Sequence, residues 1–122
     1  MNASAEELII LGFGAVIMAP IFEEILFRKI TFSLFVKIIN FTGSNYQFNN
    51  KQFLRNIAIF TATILTSIFF MILHLDSLTA MPGIFIIGVA AQLSYIHFKS
   101  LYPAIALHTA NNFVSMIMAL LQ

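Results

Sequence analysis

From Leu8 to about Ile39 the chain is almost unbroken apolar sequence. Near the middle of that run, in the stretch APIFEEILFRK, four ionisable side chains stand together: Glu23, Glu24, Arg28 and Lys29. About 20 apolar residues in a helix cover the roughly 30 Å hydrocarbon core of a bilayer, and this run exceeds that. A charge at the centre of such a span costs about 3 kcal/mol on insertion scales, so four charges exposed to lipid and unpaired would cost roughly 10 kcal/mol. That is the size of the whole stability of a small domain. The four must therefore be paired, solvated in a cavity, or both.

The rest of the 122-residue chain agrees with a membrane setting. It is 60% hydrophobic and 9% charged, with a mean hydropathy of +0.93. A water-soluble domain of this size needs more charge than that on its surface. The formal net charge is +1, which implies no nucleic-acid partner. The chain has no cysteine, so disulfides, a thiol nucleophile and thiolate metal ligands are excluded. Glu6 and Glu7 near the start do not read as a signal-peptide n-region.

The pattern predicts an all-α, polytopic membrane bundle of about four transmembrane helices in a single domain, 1–122, with its core over 15–116. Helix one runs from Leu8 to about Ile39 and is kinked or broken near Pro20, whose ring removes a backbone donor. Residues 40–52, NFTGSNYQFNNKQ, form an Asn-rich polar loop. Helix two covers about Phe53–Leu75, a turn follows over 76–83, and helix three covers about Ile84–Phe98. A tight connection at 99–103 leads into helix four, Ala104–Leu121, which Pro103 is well placed to start. Gly12, Ala15, Ala19, Gly88 and Ala91 read as close-packing positions.

With four spans, Lys37, Lys51, Arg55 and Lys99 fall at one end and Glu6, Glu7 and Asp76 at the other. The positive-inside rule then makes the 40–52 loop cytoplasmic. One tension remains in this layout. His74 lies far along helix two while His108 lies near the start of helix four. For the two to meet, helix four must begin deep, or helix three must not cross fully.

Polar residues mark three helices. Glu24 and Arg28 are spaced i, i+4 with the acid first, the better order for an ion pair. Glu23 points about 100° away from Glu24 and lacks an obvious partner on its own helix. Lys29 can snorkel to the interface. Helix two ends in FFMILHL, with Phe70 one turn before His74. Helix four carries ALHTANN, where His108 and Asn112 share a face. Interhelical hydrogen bonds within membranes average only about 0.6 kcal/mol, which is small recompense for burying such groups. A carboxylate and an imidazole can orient and deprotonate water, and an imidazole with an amide can donate to an oxyanion. Those are the parts needed to hydrolyse an amide bond within a membrane.

Glu23-Glu24-xxx-Arg28, Phe70-xxx-His74 and His108-xxx-Asn112, in this order on successive apolar helices, resemble the signature of the CAAX protease and bacteriocin-processing (CPBP, or Abi) family of intramembrane proteases. The resemblance implies that Glu23 and His74 activate the attacking water and that His108 and Asn112 stabilise the tetrahedral intermediate. It implies supporting roles for Glu24 and Arg28 and a packing role for Phe70 beside His74. It favours a mechanism without metal. Glu23, His74 and His108 are also a set that zinc would accept, although the chain has no HExxH pattern.

The implied partners are membrane lipid and a peptide or protein substrate, such as a bacteriocin or a prenylated tail. Self-association into a homo-oligomer through exposed faces is a further expectation, as is a place in a bacterial cytoplasmic membrane. Members of the family usually carry further helices, so the chain reads as a small member or as a fragment of a larger bundle. Two other functions fit the same residues: a non-catalytic bacteriocin self-immunity protein of the same family, and a small transporter subunit, since intramembrane Glu and His also serve ion pathways.

Overall fold

A computed structural model describes residues 10–44, 50–74 and 79–121. Glu6, Glu7 and Asp76, on which part of the expected orientation rests, lie outside them. The described residues form four helices and no strand. Helix α1 starts at Ile10 and runs through the stretches Gly14–Met18, Ala19–Glu24, Ile25–Thr31 and Phe32–Ser44. Helix α2 is Lys51–Leu73, α3 is Met81–Phe98 and α4 is Tyr102–Leu120. Ile10–Gly43, Lys51–Leu73 and Met81–Phe98 are long and apolar enough to cross a membrane. Helix α4 has 19 residues, but His108, Thr109, Asn111, Asn112 and Ser115 dilute its apolar character.

Pro20 does not break α1. The chain widens its turns on both sides of the acids, and the first wide stretch lies in the turn just before Pro20, where the ring and the missing N–H act. Gly14–Met18 and Ile25–Thr31 are wound as π-helix. They close with i→i−5 bonds, from the Ala19 N–H to the Gly14 carbonyl and from the Phe32 N–H to the Phe27 carbonyl. Such turns are rare and cluster at functional sites.

The expected polar loop is shorter than its composition suggests. Residues 40–44 continue α1, and Lys51 and Gln52 already belong to α2. Asn50 caps α2, its side-chain oxygen accepting from the Phe53 N–H at 3.0 Å. Gly43, having no side chain, lets Leu54 of α2 pack close against α1. A Cβ there would collide with Leu54. At the other end, Pro82 sits in the first turn of α3, so Met81, Pro82 and Gly83 are helical where a turn was expected.

Small residues let α2 and α3 approach closely. Ala58, Ala62, Thr66 and Phe70 repeat every four residues on the buried face of α2, flanked by Thr63 and Ser67. The hydroxyls of Thr63 and Ser67 are satisfied locally, whereas Thr66 Oγ1 is buried without a hydrogen-bond partner. Thr63 Oγ1 donates to the Ile59 carbonyl and Ser67 Oγ to the Thr63 carbonyl, both at 2.8 Å. Gly88, Ala91 and Gln92 face them from α3. A Cβ at Gly88 would stand 3.3 Å from Ser67 Cβ and 3.4 Å from Phe70 Cδ1. Gly88→Leu is therefore expected to force the helices apart at a cost of about 1–3 kcal/mol. Thermal unfolding in micelles measures it, and an unchanged midpoint would show that the approach is not tight. Gly12, Ala15 and Ala19, the other expected close-packing positions of α1, line a cavity.

The short α3 resolves the tension over the histidines. Lys99, its C-cap, lines a cavity together with Ser33, Lys37, Arg55 and Ile59. It therefore stops at the level of those residues, short of the ends at Ser44 and Lys51, and α4 starts deep. Lys99 reverses the chain in the left-handed region, at φ 52°, which costs a residue with a side chain roughly 1 kcal/mol. The outer faces carry exposed Phe22, Ile30, Leu34, Phe60, Ile86 and Leu93, a lipid-facing surface for a membrane bundle.

Candidate functional site

The charged residues of α1 are sorted by depth. Glu24 and Arg28 are fully buried. Arg28 Nε donates to Glu24 Oε2 at 2.8 Å and Nη2 to Oε1 at 3.2 Å, a fork that fixes the carboxylate plane. The guanidinium also lies over the Phe70 ring, 5.1 Å from its centroid. Lys29 is exposed. Glu23, one residue before Glu24, turns a different way, and its side chain is 29% exposed.

Two imidazoles meet at Glu23. His74 caps α2, with Nε2 3.1 Å from Glu23 Oε2. His108 enters from α4, with Nε2 3.5 Å from the same oxygen. The ring centroids are 6.2 Å apart. Phe70 lies between them, 4.2 Å from the His74 ring and 5.2 Å from the His108 ring. Phe27 packs edge-on against Phe70 at 5.0 Å and fixes it in turn.

The other nitrogens assign the tautomers. His74 Nδ1 lies 2.8 Å from the Phe70 carbonyl oxygen, an acceptor, so Nδ1 carries the proton and donates. His108 Nδ1 lies 3.0 Å from Glu24 Oε1, an oxygen that already accepts from the Arg28 fork, so this Nδ1 donates as well. With one proton on each ring, both then present Nε2 lone pairs to Glu23 Oε2, which is itself an acceptor. Three lone-pair atoms facing one another require something between them: a shared proton, a water, or a cation. These donor atoms of Glu23, His74 and His108 all lie within 4.8 Å of one another. With each Nδ1 already oriented by an acceptor, the set also fits one zinc ion with an open fourth position.

Asn112 is the fourth predicted residue. It lines the same cavity as Glu23 and His74, and its Nδ2 donates to the Ala15 carbonyl at 3.1 Å. The reason is in the winding of α1. The Ala19 N–H is used by Gly14, and the i+5 partner that Ala15 would use is Pro20, which has no N–H. Asn112 supplies the missing donor from α4. One amide N–H does this, and the carboxamide has a second.

The cavity has a volume of about 880 Å³, within the range of small-molecule and peptide sites. Leu11, Phe13, Val16, Met116 and Leu120 give it apolar walls, and Glu23, His74, Asn112 and Ser115 are its polar groups. His108 is buried behind Glu23. His97 is exposed at the end of α3, against Phe98, away from this cluster. The Ala15 carbonyl and Ser115 were not among the expected site groups. The signal for the first was present, a proline five residues on, but it acquires meaning only with π winding.

The family described as "Rce1-like: Type II CAAX prenyl endopeptidase Rce1-like" matches residues 5–114. No curated protein and no solved structure matches the chain.

Proposed function

The chain belongs to the Rce1-like family of type II CAAX prenyl endopeptidases, and from that premise we propose that it hydrolyses a peptide bond of a membrane-associated substrate with water activated at Glu23. One observation carries this reading. A single carboxylate oxygen is held between two imidazole Nε2 atoms, at 3.1 and 3.5 Å, beside an open apolar cavity. A water bound there can pass its proton to Glu23 or His74 as its oxygen attacks the carbonyl carbon. The carbonyl π electrons move to oxygen, and the resulting oxyanion is met by the second N–H of Asn112 and by His108 when the proton shared between Glu23 and the imidazoles rests on its Nε2. When the C–N bond breaks, the departing amine takes the proton back. The basic end of the bundle, with Lys37, Lys51, Arg55 and Lys99, faces the cytoplasm under the positive-inside rule.

The test uses purified full chain in proteoliposomes with membrane-associated peptides, prenylated and unprenylated. Each cleavage adds one water to the products, read by mass. His74→Ala is expected to slow cleavage roughly a hundred- to ten-thousand-fold. An unchanged rate for that variant would remove His74 from the chemistry.

The compact donor set favours a second reading, in which Glu23, His74 and His108 hold zinc and the ion supplies Lewis acidity to the bound water. A chelator decides between them. In the water-only mechanism, 1,10-phenanthroline leaves the rate unchanged. In the zinc reading it abolishes cleavage, and added zinc restores it.

A further inference from the structure

A second cavity, of about 440 Å³, lies at the basic end of the bundle. It draws one cation from each of three elements: Lys37 of α1, Arg55 of α2 and Lys99 at the end of α3. The hydroxyl-bearing Ser33 and Tyr95 also line it, and the Tyr95 ring is fixed edge-on against Phe32 at 6.4 Å. No carboxylate is there to balance the three charges. Among the described residues the only acids are Glu23 and Glu24, and both are engaged at the other site.

Charges that merely followed the positive-inside rule would sit at the helix ends. Two of these three sit further in. Lys37 and Arg55 stand about two turns and one turn from Ser44 and Lys51, with exposed Ile38, Phe41 and Phe53 on the outer side. Lys99 occupies a left-handed backbone position that glycine would take at no cost. The cation is kept against the preference of the backbone.

We propose that this cavity binds the phosphate of an anionic phospholipid, with Lys37, Arg55 and Lys99 as its counter-charges. Basic pockets between membrane helices suit such headgroups. The rest of the lining is largely apolar, including Val36 and Ile96, and the nearby Leu34 and Phe98 are exposed on the lipid-facing surface. The occupant therefore has an apolar body as well as a charged head, which a lipid has and a soluble phosphate lacks. This site stands apart from the peptidase reading and does not depend on it.

The test is the thermal midpoint of the full chain in neutral micelles, titrated with phosphatidylglycerol, phosphatidylcholine or inorganic phosphate. Phosphatidylglycerol is expected to raise the midpoint, and the other two are not. Arg55→Gln and Lys99→Gly should each weaken the phosphatidylglycerol response about five-fold, the worth of one basic residue near an anionic lipid. Lys99→Gly keeps the result readable, since glycine suits φ 52° and the lipid-free protein should melt no lower. Lys51→Gln removes the same charge from the same end but outside the cavity, and should keep the full response. An equal loss with Lys51→Gln would reduce the effect to general surface charge. An equal gain from inorganic phosphate would make the ligand a soluble anion. Either result overturns the proposal.

Discussion

Glu23→Gln is expected to lower the rate of peptide cleavage by roughly a hundred- to ten-thousand-fold while leaving the bundle as stable as before, or more so. The two halves of this expectation have one cause. In the wild type, Glu23 Oε2 faces two imidazole lone pairs, those of His74 and His108, and something must be shared among the three acceptors. A glutamine amide in the same place can donate N–H groups to those nitrogens. It satisfies the site and ends its capacity to take a proton from water. A residue of structural importance alone would give the opposite pattern, with the rate preserved in whatever protein folds. Single-turnover cleavage and a thermal melt of the same preparation separate the two cases. A variant that cuts at the wild-type rate would end the assignment of Glu23 as the base. The self-immunity alternative makes a different demand, since protection against a bacteriocin would survive this substitution.

The second large effect is on stability. Arg28→Met removes the guanidinium that neutralises Glu24 inside the bundle, where both side chains are fully buried. Breaking a buried pair from one side costs about 3–5 kcal/mol, a large share of what a domain of this size has. Here it leaves Glu24 with His108 as its remaining partner. The expected results are a sharp fall in the melting midpoint and poor recovery of monodisperse protein. Adding Glu24→Gln to Arg28→Met removes the stranded charge and should return most of the loss, because a buried pair is often replaceable as a unit. It should not return activity, because the carboxylate that orients His108 is gone. If Arg28→Met alone melts like the wild type, the pair does not support the bundle.

Much of this was legible in the sequence, for identifiable reasons. The i, i+4 spacing of Glu24 and Arg28 is a local relation, and the structure shows the ion pair that spacing implies. The divergence of Glu23 from Glu24 was also local, and it left Glu23 seeking a partner on another helix. Which partner, and how deep, depends on where α3 stops, and no local pattern gives that level. Asn112 shows the limit from the other side. Its spacing from His108 placed both on one face, but its bond to Ala15 depends on a proline on another helix and on a hydrogen-bond register that periodicity does not encode. The loop over 40–52 looked longer than it is because Asn and Gly mark turns in isolation, whereas here Gly43 admits Leu54 and Asn50 starts a helix.

The wide turns of α1 govern how its length can vary. Ordinary α winding uses fewer residues per turn than π winding, so the segments before and after the two acids each store slack. Excising a residue from Ile25–Thr31 would let that segment tighten to standard pitch and keep its hydrogen-bond ladder. Excising a residue from the ordinary α winding over 32–36 instead has no such slack to draw on and would rotate everything beyond it, including Lys37, by about 100° relative to Glu23. The helix would remain a helix and could still cross a bilayer, but its two working ends would no longer be in phase.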